Sequence, residues 1–373
     1  MREYLVLFTV AAAVTFLAAI PARSAALRVH AVAAVRDRDV HATPIPYGGG
    51  PALLAGLWAA YLTALHLPFL STTAADLVED AGAVLIGGTV ICLVGVVDDI
   101  WELDALTKLL GQVAAASVVV ALNVRFYYLP LSDEFNVIDP LQADVVSVFL
   151  IVGTVNAVNF IDGLDGLAAG VIGIGASAFF GFAYVLAGQN NQSVATPAAM
   201  LTAALAGACL GFLPHNFYPA RMFMGDSGSM LIGLVMASSA ITLTGSFTAS
   251  AEPIDGISGS ANLLSPTLLP LVLPVAVLLV PFVDLVLAVI RRTRAGRSPF
   301  SPDKQHLHHR LLEMGHSQRR AVVVMYLFAA LIAFGTVALS LSSGWQVAAA
   351  VAAAAVAVLC LALVLPRLGR STV

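Results

Sequence analysis

Uncharged stretches dominate the chain. They cover residues 4–22, 42–75, 81–97, 109–124, 145–161, 166–220, 227–251, 257–290 interrupted only by Asp284, and 321–366. A membrane-spanning helix needs roughly 20 apolar residues, and about 17 suffice when its ends are tethered. Two runs are too long for one crossing, and each is broken by turn residues: Gly188-Gln189-Asn190-Asn191-Gln192-Ser193 in one, Ser342-Ser343-Gly344-Trp345 in the other. The pattern predicts an all-α integral membrane protein of about 11 transmembrane helices, built as a single polytopic domain over residues 1–373. The first run looks like a secretory h-region, but only Arg2 precedes it and further spans follow, so it is read as a membrane anchor. The segment from Arg125 to Asp144 is long enough for a short hairpin.

Composition agrees with that pattern. With 59% hydrophobic and 11% charged residues, too few polar groups exist to cover a water-soluble globule. Disorder, a collagen-like chain, a disulfide scaffold and a basic nucleic-acid binder are excluded. Cys92, Cys209 and Cys360 lie far apart in apolar runs, as packing residues do. Charge placement says more than the net charge of -4. Alternating the loops puts every lysine and arginine except Arg2 and Arg125 on one face. Such an asymmetry marks the cytoplasmic side, so the N-terminus is expected outside and the C-terminus in the cytoplasm.

The same alternation gathers the unusual polar residues on the arginine-bearing face, which is therefore the expected face of the active site. The first internal loop, VRDRDVHATPIPYGGG, carries Arg38 and His41 ahead of a proline-glycine turn. Basic groups beside glycine backbone suit a phosphate. The third run ends on Asp98 and Asp99. Helical neighbours point about 100° apart, so two adjacent carboxylates cannot clasp one ion symmetrically and should have different jobs. Trp101 and Lys108 follow and read as interface anchors.

Three more clusters share that face. In NAVNFIDGLDG, Asn159 precedes Asp162 and Asp165, which share a helical side, and the flanking glycines permit close approach. In HNFYPARMFMGDSGS, Asn216, Arg221, Phe223 and Asp226 come together where a new span begins, although Asp226 and Ser227 could equally cap that helix. In SPFSPDKQHLHHR, His306, His308, His309 and Arg310 follow an arginine group that includes Arg294. The spacing of His306 and His309 also fits a zinc pair, but no thiolate accompanies them, and the arginines favour an anion. Aspartates, arginines, histidines and an aromatic on one face suit a nucleoside diphosphate with its metal. Magnesium takes one or two carboxylates and completes its shell with phosphate oxygens and water.

The strings VGVVDDIWELDALTKLLGQ, NAVNFIDGLDGLAAG, HNFYPARMFMGDSGS and SPFSPDKQHLHHRLL resemble, in order and over most of the chain, the bacterial polyprenyl-phosphate N-acetylhexosamine-1-phosphate transferases. The resemblance implies transfer of a sugar 1-phosphate from UDP-GlcNAc, or a related UDP-HexNAc, to polyprenyl phosphate, with release of UMP. It implies a multi-pass protein of the bacterial cytoplasmic membrane, active in cell-envelope glycan assembly. Magnesium is the expected cofactor, with manganese as an alternative; nucleic acid is not an expected partner, and a homodimer is one assembly open to it. Asp226 matches the metal-binding carboxylate, and Asp98 and Asp99 the paired catalytic aspartates. Asn159, Asp162, Asp165, Asn216 and Phe223 match nucleotide-binding positions, with Phe223 expected to stack on uracil. Arg38, His41, Arg221, Arg294, His306, His308, His309 and Arg310 fall to the phosphates and sugar. The first loop departs from relatives in reading Asp39-Val40-His41 where Lys-Val-His is common, which makes Arg38 the expected phosphate contact there. The His-Leu-His-His string is similar to the branch using small UDP-N-acetylhexosamines, unlike the three successive histidines of the muramyl-pentapeptide branch.

Two rivals stand beside this reading: the muramyl-pentapeptide branch itself, and a secondary transporter of anionic sugar nucleotides or lipids. A transporter needs its ionisable groups near the midplane, whereas nearly all of these lie at span ends.

Overall fold

The computed structural model describes residues 1–32, 44–72, 77–126, 128–129, 136–137, 139–189, 196–249, 317–342 and 344–368, with a few single residues between 272 and 296. In chain order the helices are α1 (Arg2–Arg28), α2 (Gly49–Ala64), α3 (Pro68–Ser71), α4 (Gly82–Trp101), α5 (Ala105–Ala121), α6 (Pro140–Ile161), α7 (Leu167–Gln189), α8 (Thr196–Asn216), α9 (Gly225–Ala249), α10 (Gln318–Leu341) and α11 (Trp345–Leu368). A π-helical turn, Leu77–Ala81, leads into α4. Among the described residues, eight helices are long and apolar enough to cross a membrane. Strand structure there amounts to one antiparallel ladder, β1 (Tyr128–Leu129) against β2 (Asn136–Val137), inside the segment where a hairpin is expected.

Two of the expected spans come out short. The run at 42–75 yields a helix of 16 residues, α2, and the run at 109–124 lies in α5, of 17, only as far as Ala121. At 1.5 Å per residue α2 is about 24 Å long, less than the roughly 30 Å of a hydrocarbon core. The ends of α2 are set by backbone: Gly48 precedes it at φ +147°, and Leu67, ahead of Pro68, is extended. The expected ninth span, 257–290, lies almost wholly outside the described residues.

Burial ranks the helices. The apolar window of α9 is 100% buried and that of α8 89%, against 22% for α1 and 11% for α11. Helix α9 is therefore the central post, packed by α4, α6, α8 and α2, while α1 lies on α2 and α8, and α10 on α7. Small residues let the backbones approach. A Cβ at Gly95 of α4 would meet the backbone of Asp226 and Ser227, so the last turns of α4 and the first turn of α9 touch main chain to main chain. That crossing brings the end of one acidic helix onto the start of another.

Candidate active site

The C-terminal ends of α4, α6 and α8 and the N-terminal ends of α5, α7 and α9 meet at one end of the bundle. Hydrogen bonds between them are long in sequence and short in space.

Asp98 and Asp99 divide their work, as their helical geometry predicts. Asp99 faces α9: its Oδ1 accepts from the Asp226 N–H at 2.7 Å, and its Oδ2 from the Ser227 Oγ at 2.7 Å and the Ser227 N–H at 3.3 Å. It caps the N-terminus of a helix from another part of the chain, where free N–H groups and the helix dipole favour an anion. Gly225 makes this possible, with φ +72° and no side chain, since a Cβ there would lie 2.5 Å from Asp99 Oδ2. Asp98, only 7% exposed, turns the other way. Its Oδ1 accepts from the Leu103 N–H at 2.7 Å, and its Oδ2 lies 3.0 Å from Lys108 Nζ.

Lys108 corrects the sequence reading. Instead of anchoring at an interface, its ammonium sits between Asp98 and Asp226, hydrogen-bonded to the latter, with 20% of the side chain exposed. Asp226, in the first turn of α9, is also held on its Oδ1 by the Asn159 amide, whose Nδ2 donates to Ser229 Oγ as well, at 2.9 Å. One cation thus stands among Asp98, Asp226 and the amide oxygen of Asn159. The usable signal was that the chain has two lysines among its 18 basic residues and places one ten positions after Asp98.

Asp162 lies just past the end of α6, and burial together with the charges of Asp226, Asp99 and Asp165 pushes its carboxyl up to about 8. Asp165 and Asn216 serve the loops. Asp165 Oδ2 accepts from the Ala220 N–H at 2.9 Å; Asn216 Oδ1 accepts from the Gly166 N–H at 3.0 Å while its Nδ2 donates to the Met222 carbonyl at 3.1 Å. Both are buried. They lock the loop after α6 to the loop after α8, and Tyr326 of α10 closes the lock by donating to the Gly166 carbonyl.

Phe223 belongs to a second zipper. Its N–H donates to the Pro46 carbonyl at 2.9 Å, its carbonyl accepts from the Gly49 N–H at 3.3 Å, and its half-buried ring lies 6.2 Å from the ring of Tyr47. The aromatic side of the site is thus a pair, and Tyr47 drew no notice in the sequence because the turn's glycines did. Arg221 is exposed at this edge, and its carbonyl accepts from Arg23 Nε at 3.1 Å. Arg294 is exposed, and among the described residues nothing joins it to the cluster. Arg38, His41, His306, His308, His309 and Arg310 lie outside the described residues.

The donors suit a hard divalent cation. Among the described residues no three His, Cys, Asp or Glu side chains form a closed metal cage. Magnesium does not need one, since one or two carboxylates, an amide oxygen and the substrate's phosphates fill its octahedron. Asp98 and Asp226 flank one ammonium, and Asp99 adds its charge at the head of α9, so like charge would oppose the entry of a bare diphosphate.

The glycosyl transferase family 4 model matches residues 81–244, the stretch that carries this cluster. The chain is 46% identical to the decaprenyl-phosphate N-acetylglucosaminephosphotransferase of Mycobacterium tuberculosis over 90% of its own length and 82% of that protein. The protein of the same name from Mycolicibacterium smegmatis is also 46% identical over 90% of this chain and 82% of its own. The undecaprenyl-phosphate alpha-N-acetylglucosaminyl 1-phosphate transferase of Escherichia coli is 29% identical over 84% and 77%. The core around α9 and the close likeness along most of the chain agree: this protein is a member of glycosyl transferase family 4.

Proposed function

We propose that the protein transfers N-acetylglucosamine 1-phosphate from UDP-N-acetylglucosamine to a polyprenyl phosphate, forming the lipid diphosphate sugar and UMP in a bacterial cell membrane. The observation that carries this reading is the Lys108 ammonium held between Asp98 and Asp226, with Asp162 near enough to feel the charge of Asp226, at the end of the bundle where the family's acidic motifs meet. The names of its relatives, each an N-acetylglucosamine phosphate transferase with a polyprenyl phosphate acceptor, favour that sugar over the muramyl-pentapeptide.

Phosphoryl transfer is catalysed mainly by positioning and charge neutralisation. Asp226 and the Asn159 amide oxygen would hold magnesium, whose charge would offset that of a diphosphate in an acidic site. Lys108 adds a second positive charge and holds Asp98 by its Oδ2. Asp98 takes the proton of the lipid phosphate, whose second pKa near 6 makes this easy. The freed oxygen attacks the sugar-linked phosphorus, the bond to the UMP oxygen breaks, and UMP departs. Asp99, with both oxygens on the first turn of α9, positions Asp226. Phe223 and Tyr47 offer the face on which uracil stacks. The arginines and histidines of the remaining loops, Arg38, His41, Arg221, Arg294, His306, His308, His309 and Arg310, hold phosphates and sugar.

The cluster faces the cytoplasm in this reading, with eleven crossings and the N-terminus outside. Support comes from Arg23, Lys108, Arg221 and Arg319, which the hydrogen bonds gather at the site end, while Arg125 pairs with Asp144 at 2.9 Å beside the hairpin. Purified protein in detergent, given polyprenyl phosphate, magnesium and UDP-N-acetylglucosamine, should yield UMP and a lipid diphosphate sugar in equal amounts. Release of UDP in place of UMP, or no release, would overturn the reading.

A further inference from the structure

Beneath the ring of Asp226, Lys108 and Asn159 lies a second layer on the same three helices. Gln112 follows Lys108 by four residues on α5, Asn156 precedes Asn159 by three on α6, and Met230 follows Asp226 by four on α9, so each member lies one helical turn deeper. The layer is bonded within itself. Asn156 Nδ2 donates to Gln112 Oε1 at 2.7 Å, and Gln112 Nε2 donates back to Asn156 Oδ1 at 3.4 Å and to Met230 Sδ at 3.3 Å. Gln112 is 1% exposed, so its amide has no water to fall back on, and the bonds it makes across the helices are the ones that satisfy it. Asn156 approaches from the outer face of the bundle.

From this geometry we propose that Gln112 is a positioning residue: by fixing the register of α5 against α6 and α9, it keeps the Lys108 ammonium between Asp98 and Asp226. A slip of α5 by a fraction of a turn would carry Lys108 off both carboxylates while leaving the apolar packing of the helices nearly unchanged. Helices whose facing surfaces are almost wholly apolar have little else to define their register, and an interhelical amide pair supplies it. Gln112 itself touches no substrate. Its importance for catalysis rests on the function proposed above; its hold on Lys108 does not.

The chain has two lysines, so amine labelling read by mass spectrometry isolates Lys108, with Lys304 as internal reference. In magnesium-free detergent solution, Lys108 of the wild type should label slowly. Gln112→Leu should raise its labelling rate at least fivefold relative to Lys304, and lower kcat at least tenfold with little change in KM for polyprenyl phosphate. Should Gln112→Leu fail to fold, Asn156→Leu breaks the same pair from the outer face. The exchange Gln112→Asn with Asn156→Gln keeps both amides and should restore protection and kcat to within about threefold. A folded Leu variant with unchanged melting temperature and wild-type shielding of Lys108 would overturn the proposal, as would an exchange variant no better than the single ones. Lysine shielding that behaves as expected in a wild type releasing no UMP would sink the proposed function and leave the positioning role standing.

Discussion

Asp98 and Asp99 are neighbours in the chain and serve different helices: Asp98 Oδ2 lies 3.0 Å from Lys108 Nζ on α5, whereas Asp99 Oδ1 accepts the Asp226 N–H of α9 at 2.7 Å. The two should fail differently. Asp99→Ala removes an N-cap, which costs about 1–2 kcal/mol of stability, and should lower the melting temperature and turnover together. Asp98→Asn should leave melting nearly unchanged and reduce kcat by a hundredfold or more, the range of a lost general base. Melting curves and steady-state rates on both variants decide it; equal thermal losses would refute the division.

Asp226→Asn keeps the side chain's size and removes the charge that offsets a divalent cation. Magnesium-dependent turnover should fall by several orders of magnitude. Retention of more than about a tenth of wild-type rate at saturating magnesium, only about 1.4 kcal/mol of barrier, would count against Asp226 as a ligand.

Much of this arrangement was legible. Gly225-Asp226-Ser227 at the head of an uncharged run announced a helix start beside a carboxylate, and the turn-rich break at 188–193 correctly parted α7 from α8. Lys108 was not legible, because one lysine after a span looks the same whether it faces lipid headgroups or a carboxylate on another helix. Nothing in the sequence says that α5 begins against the first turn of α9. Asp165 and Asn216 drew notice as polar groups that could read a base. In the structure they bond the main chain of Ala220, Gly166 and Met222, a role that their spacing did not announce. The shortness of α2 was hidden because its limits are backbone conformations at Gly48 and Leu67 inside an unbroken uncharged run.

Phe223→Ala should weaken UDP-sugar binding by roughly 5- to 150-fold, the equivalent of about 1–3 kcal/mol of base stacking. The apparent affinity for polyprenyl phosphate should change far less. Because Tyr47 lies 6.2 Å away, Tyr47→Ala should produce the same selective loss on a smaller scale. A loss of both affinities together with a lower melting temperature would make Phe223 a packing residue.

With its carboxyl pushed up to about 8 from 3.8, Asp162 keeps a proton in the folded, metal-free protein that the unfolded chain has released. Its contribution to stability is fully present below pH 3.8 and is lost as pH rises through about 8. In metal-free detergent solution Asp162→Asn should therefore match the wild type in melting temperature near pH 5 and exceed it near pH 9. A difference that does not grow with pH would mean that Asp162 is ionised throughout.

A fusion reporter placed after Val373 should report the cytoplasm. An external signal would break the alternation that sets the reactive end of the bundle on that side.

The enclosure of α9 bears on how the protein meets membranes of different thickness. A bilayer that is too thin or too thick acts on the helices it touches, which tilt or stretch the lipid around them. Among the described residues the apolar window of α9 is 100% buried within the protein, whereas only 22% of that of α1 and 11% of that of α11 is. Mismatch strain should therefore fall on the rim helices and leave the turn that carries Asp226 level, and turnover should vary little across lipids of different acyl length.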